Sequence, residues 1–119
     1  MLNREAKVVD LAKAAATPLE YDNRPVAEVN DHVVRISIMT RPFHWHCHPN
    51  SDETFLVLEG RLSVDFEHES LEIGPGQLLT VPRGIPHCTR PIGARSVNLT
   101  FERADATTVA VAAPAGFAN

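Results

Sequence analysis

Three histidines and a carboxylate stand close together in the stretch His44-Trp45-His46-Cys47-His48-Pro49-Asn50-Ser51-Asp52-Glu53. On a β-strand, side chains two residues apart share a face. Strict alternation therefore puts His44, His46 and His48 on one face and Phe43, Trp45 and Cys47 on the other. Pro49 to Asp52 is turn chemistry. Glu53 then opens an apolar run, Thr54-Phe55-Leu56-Val57-Leu58. Neighbouring strands lie ~4.8 Å apart and same-face residues ~6.6 Å apart. Two imidazoles on one strand and a carboxylate at the start of the next can therefore close on one ion. His44 lies ~13 Å along the strand from His48, too far to share that ion easily. It reads as a core histidine deeper in the barrel, ahead of the alternative of a group lining the pocket beside the ligands.

A second segment supplies a further imidazole. From Gly76 the chain reads Gly-Gln-Leu-Leu-Thr-Val-Pro-Arg-Gly-Ile-Pro-His, ending at His87. The turn at Pro82-Arg83-Gly84 aims His87 back along the next strand, which makes three imidazoles and one carboxylate. Imidazole suits Zn, Cu, Fe and Ni, and added carboxylate admits Mn. Four protein ligands leave one or two positions open on an ion that takes five or six partners. Non-haem iron or manganese sites admit substrate or O₂ through such positions.

The elements that must position these residues are short strands. Residues 4–16 are Ala-rich with Val8, Leu11, Ala12 and Ala15 on one helical face, and Pro18 limits that helix. From Val26 the pattern changes to β-branched runs, with strands expected near 26–29, 33–39, 43–48, 53–59, 61–67, 70–73, 77–81, 86–90, 95–101 and 108–112. Pro42, Pro49, Gly60, Gly74-Pro75-Gly76, Pro82, Gly84, Pro86, Pro91 and Gly93 punctuate them. Many short strands with closely spaced turns indicate an all-β sandwich or barrel. The organisation is an N-terminal helical arm (1–25), a β-barrel (26–112) and a C-terminal tail (113–119), loose or docked on a partner. Several strands are apolar on both faces, so their outer face needs a cover: the N-terminal helix, a second sheet or another subunit. That motivates a homodimer.

Composition narrows the partners. The chain has 119 residues and a net charge of −4 with no basic stripe, which argues against nucleic acid. No apolar run is long enough to cross a bilayer, and charged residues break up any signal-peptide core at the N-terminus. The expectation is a cytoplasmic protein that uses neither nucleic acid nor membrane. Cys47 and Cys88 form neither a CxxC pair nor a disulfide framework. Each alternates with a ligand-type residue, so both read as reduced, small apolar groups facing away from the site and near each other. Trp45 reads as outer-face packing, and His32 and His68 as solvated turn residues. Arg35, Arg41, Arg83, Arg90 and Arg95 are the candidates for an anion clamp.

His46-x-His48-x₄-Glu53-x₆-Gly60, followed by Gly76-x₅-Pro82-x-Gly84-x₂-His87, resembles the paired motifs of the cupin superfamily. The chain is most similar to its small single-domain, mannose-6-phosphate-isomerase-like members. The resemblance implies a double-stranded β-helix (jelly-roll) barrel, here with a short N-terminal helix, and a dimeric assembly. It also implies a divalent transition metal (Fe, Mn, Ni or Zn) held by His46, His48, Glu53 and His87. Thr40 stands where the first motif usually opens with Gly, and Pro91 where the second usually ends with Asn; neither position ligates metal in the family. Two functions fit. One is a metal-dependent enzyme, of oxygenase, isomerase or decarboxylase type, acting on a small oxygenated molecule such as an acid, a sugar or a polyketide-like compound. The other is a module that binds such a molecule without turnover. Catalytic residues beyond the ligands are not assigned at this level.

Overall fold

Two long strands that cross the whole molecule set its architecture. The computed structural model describes residues 5–117. In chain order its elements are α1 (Leu11–Ala14), β1 (Tyr21–Val29), β2 (His32–Met39), β3 (Phe43–Cys47), β4 (Glu53–Asp65), β5 (Ser70–Ile73), β6 (Leu78–Val81), β7 (His87–Arg103) and β8 (Val109–Ala110). β4 and β7 run antiparallel to each other along nearly their full lengths. The first half of β4 and the second half of β7 join β1, β2 and β6 in one layer, ordered β1-β2-β7-β4-β6. Their other halves join β3, β5 and β8 in a second layer, ordered β8-β3-β7-β4-β5. The result is the jelly-roll expected from the motifs, with a short helix at its N-terminal side.

Most of the punctuation read as strand breaks does separate strands, but Gly60, Pro91 and Gly93 lie inside them. Gly60 lies inside β4 at φ +73°, and a Cβ there would sit 2.2 Å from the carbonyl oxygen of Arg95. Only a glycine permits this backbone contact where the two long strands cross. Near it, two residue steps on β4 face five on β7, between the pairs Glu59–Val97 and Arg61–Ile92. Gly93 belongs to this bulged stretch and Pro91 pairs with Leu62 just before it, so the expected strands 86–90 and 95–101 are one strand. β1 likewise begins at Tyr21, ahead of the expected residue 26. It is an edge strand, where Pro25 is tolerated at a register shift.

Alternation along β2 and β7 divides the side chains cleanly. Val34, Ile36, Ile38, Val97 and Leu99 form one apolar cluster on the outer face of the first layer, covered by Leu11, Ala14 and Ala15 of the N-terminal arm. The cover is therefore supplied within the chain. The helix is shorter than the expected 4–16, of which residue 4 lies outside the described residues. The Asp10 side chain caps it by accepting from the Lys13 backbone N–H. Four residues are too few to be helical on propensity alone. Arg24 and Arg95 donate to the carbonyl oxygens of Ala14 and Ala15 at its C-terminal end, and packing does the rest. A second cluster, Met39, Phe55, Val57, Leu62, Val64, Ile73 and Val81, fills the interior. At the other end of the chain, Phe117 packs edge-on against Trp45 with ring centroids 5.0 Å apart. Trp45 is thus a packing residue, and the tail as far as Phe117 lies against its own barrel.

The outer face of the second layer hides a charge. Asp65 is buried and accepts from Ser63 Oγ at 2.8 Å and from Arg90 Nε at 2.9 Å. Burial pushes its carboxyl up, but the bonds from Arg90, Ser70 and Ser63 outweigh that and hold it below the ordinary carboxylate value. A depressed folded-state value means stability that is present above about pH 4 and lost as pH falls through the folded value. Asp65→Asn should cost about 1–3 kcal/mol at neutral pH. In thermal melts the gap between Asp65→Asn and wild type should narrow below about pH 4.

Candidate metal centre

β3 carries the first two histidines, and its backbone is not a regular strand. Phe43 pairs with Thr89 and His46 with His87, so three steps on β3 face two on β7. This bulge, of the kind that re-aims side chains beside functional sites, breaks the expected alternation. Phe43 faces the interior cavity with His46, whereas the His44 ring is exposed. The placing of His44 on the shared face, deep in the barrel, is therefore corrected. Its main chain serves the site instead, because His44 O accepts from His46 Nδ1 at 2.7 Å. Cys88 Sγ donates to Phe43 O at 2.9 Å and fastens the bulge. Cys88 is buried and Cys47 partly so, both as free thiols. Burial, then the Asp65 charge, pushes the Cys88 thiol up to about 11.

All three buried histidines spend Nδ1 on a main-chain carbonyl. His46 uses His44 O, His48 uses Thr107 O at 3.0 Å, and His87 uses Ile85 O at 2.9 Å. Such bonds fix the ring orientation and turn each Nε2 toward the others, where its lone pair can take a metal ion once any proton shared with Glu53 has left. The turn before His87 is tied to the first motif by Gly84 N–H donating to His48 O at 2.8 Å. Glu53, the first residue of β4, places Oε1 3.1 Å from His48 Nε2 and 3.3 Å from His87 Nε2. One ligand-type atom from each of His46, His48, Glu53 and His87 lies within 4.8 Å of all the others. All four residues are buried. Three nitrogens and a carboxylate oxygen in this arrangement fit a divalent transition metal. The four residues could hold one.

The electrostatics agree with ligand duty. Burial pushes the His46 imidazole down to about 4, which keeps it neutral and able to donate its lone pair. Burial alone would raise Glu53, but hydrogen bonds from His48 and His87 bring its carboxyl down to about 2. The same bond raises His48. Glu53 is therefore a carboxylate throughout the neutral range.

The cluster opens on an interior cavity of about 350 Å³ between the two layers. Of the five candidate arginines, Arg35 alone lines it. Arg90 is held by Asp65, Arg95 by Glu59 and Ala15 O, and Arg41 by Glu20. Arg83 is exposed at the turn. Asn98 and Glu102 also line the cavity. Sequence reasoning missed them because both lie beyond the second motif; their inward position on a strand with alternating apolar residues was the available signal.

The model of the cupin domain family matches residues 33–101. This chain belongs to the cupin family. The cupin is 41% identical over 102 residues to an uncharacterized protein of Bacillus subtilis (strain 168), YdbB, an alignment that covers 85% of this chain and 89% of the relative. A stretch of 56 residues is 36% identical to the polyketide synthase CurC of Streptomyces cyaneus, covering 47% of this chain and 36% of that protein. Among solved structures, a cupin-2 domain containing protein of Shewanella frigidimarina superposes with a TM-score of 0.74 at 25% identity. That match covers 81% of this chain and 94% of the other.

A loop outside the four residues holds one of them. Asn50 Oδ1 accepts from Thr107 N at 2.9 Å, and Asn50 Nδ2 donates to Asp105 O at 2.9 Å. These bonds clip the segment whose Thr107 carbonyl orients His48. Asn50→Ala should lower affinity for a divalent metal by about 10-fold or more while leaving the four residues in place. Competition titration against a chromogenic chelator measures this directly.

Proposed function

We propose that this cupin binds one divalent transition metal through His46, His48, Glu53 and His87 and is a metal-dependent enzyme acting on a small oxygenated molecule. The observation that carries the reading is the convergence of three oriented Nε2 atoms and a buried carboxylate at the wall of a ligand-sized cavity. A metal held there supplies Lewis acidity, or a site for O₂, to the oxygens of the bound molecule. The chain's own residues do the rest. Tyr21, Met39, Phe43 and Phe55 line one part of the cavity, where they exclude water and accept an apolar body. The main-chain carbonyls hold the imidazoles aimed. Oxygenase, isomerase and decarboxylase types all use such a site, and the single barrel suits the mannose-6-phosphate-isomerase-like branch. The likeness to CurC and the apolar lining favour a polyketide-like acid over a sugar.

The reading also includes a homodimer in the cytoplasm, with neither nucleic acid nor membrane as partner. The free thiols suit a reducing compartment. The edge strands β5 and β6 carry the exposed Leu71 and Leu78, which a second copy would cover. Light scattering at micromolar concentration should report twice the chain mass; a monomer there removes the dimer from the reading.

Elemental analysis of protein purified without chelators should find one metal per chain, and His87→Ala should lose most of it. Cobalt-loaded protein should change its visible absorption when oxalate is added, because open positions accept a small bidentate acid. A full complement of metal in His87→Ala contradicts the ligand set. A cobalt spectrum that no small anion alters marks a closed, structural site and ends the enzyme reading.

A further inference from the structure

The cavity has a polar wall that metal binding does not use. It lies on the inward positions of β2 and of the second half of β7, where Arg35 stands opposite Thr100, Ser37 opposite Asn98, and Val33 opposite Glu102. Asn98 is 1% exposed, yet neither Oδ1 nor Nδ2 has a hydrogen-bond partner among the described residues. Oε2 of Glu102 is also buried without one. Buried polar groups in native proteins are paired with protein, water or ligand, so a cavity-lining amide with both ends free asks for a partner that donates and accepts. Arg35 donates from Nε to Asn23 Oδ1 at 2.6 Å and from Nη2 to Asn23 O at 3.4 Å. It forms no ion pair among the described residues and keeps further N–H donors unspent. With a divalent ion at the four ligands, Arg35 and the ion outweigh Glu53 and Glu102, and the cavity is net positive.

The geometry points to a subsite for a small hydroxycarboxylic acid. Arg35 and Asn98 Nδ2 take its carboxylate, while Asn98 Oδ1 and Glu102 accept from its hydroxyl. The apolar body of the acid lies toward Phe43 and Phe55. This rests on the proposed function for the metal and adds the substrate class. A cavity of about 350 Å³ is at the small end for ligand sites, which limits the body to roughly one ring.

The test uses the full chain loaded with zinc and two probes, mandelate and its neutral isostere mandelamide, with binding read by calorimetry. Zinc content is measured on the same samples. Mandelate should bind about tenfold more tightly than mandelamide, as expected for charge-assisted bonds from a guanidinium. In Arg35→Met that preference should fall to within about twofold, with zinc content unchanged. Arg35→Lys, which keeps the charge and loses the fork, should give an intermediate ratio and shows that the wall tolerates replacement. Asn98→Leu should weaken mandelate about fivefold or more. A preference that survives in Arg35→Met, or no mandelate binding to wild type at low-millimolar concentration, overturns the subsite. If the chain takes up no zinc, the proposed function fails, and the same ratio measured on that protein still decides the subsite.

Discussion

Glu53 is a carboxylate taken almost wholly out of water, and two imidazoles are what make that burial tolerable. An isolated buried charge costs several kcal/mol. His48 and His87 offset it where Nε2 carries a proton toward the same oxygen, as a metal ion between them would. Each ring is aimed there because its other nitrogen donates to a carbonyl of the main chain. With His44 O, which holds His46, the carbonyls belong to three separate segments: the β3 bulge, the turn before β7 and the loop before β8. A shift in any of them would turn an imidazole away, and a shift in either of the last two would leave the carboxylate uncompensated. The site is thus a constraint on backbone placement in three loops at once.

The long strands β4 and β7 satisfy that constraint. Glu53 begins β4 and His87 begins β7, so two of the four residues sit at the starts of the strands that tie both layers together. The bends at Gly60 and around Gly93 let one strand serve two layers. Asn98, Thr100 and Glu102 occupy the same strand as His87, one layer over. A single strand therefore contributes both to the ligand cluster and to the polar wall, and the apolar residues between them face the covered outer surface.

Much of this was legible in the residues themselves. The all-β class, the short N-terminal helix, the two histidine motifs and the exclusion of Cys88 from the site follow from alternation, punctuation and ligand type. What escaped was anything that depends on a defect in regularity. Period-two counting put His44 with His46, and one extra residue in β3 undid that. Gly60 and Gly93 have the chemistry of turns, and only the crossing of β4 and β7 turns them into bends. The start of β1 at Tyr21 escaped because an edge position, where Pro25 is tolerated, cannot be recognised before the sheet order is known. Asn98 and Glu102 carried no motif, and their role comes from the cavity they share with residues about fifty positions earlier.

The dependence of His48 on Thr107 has a temporal side. All four clustered residues are synthesised by residue 87, yet the carbonyl that orients His48 arrives twenty residues later, and β8, which pairs with β3, later still. A chain emerging from the ribosome therefore exposes a complete set of soft and hard donors before it owns the geometry to arrange them. The order of synthesis thus puts the clustered residues ahead of the segment that arranges one of them.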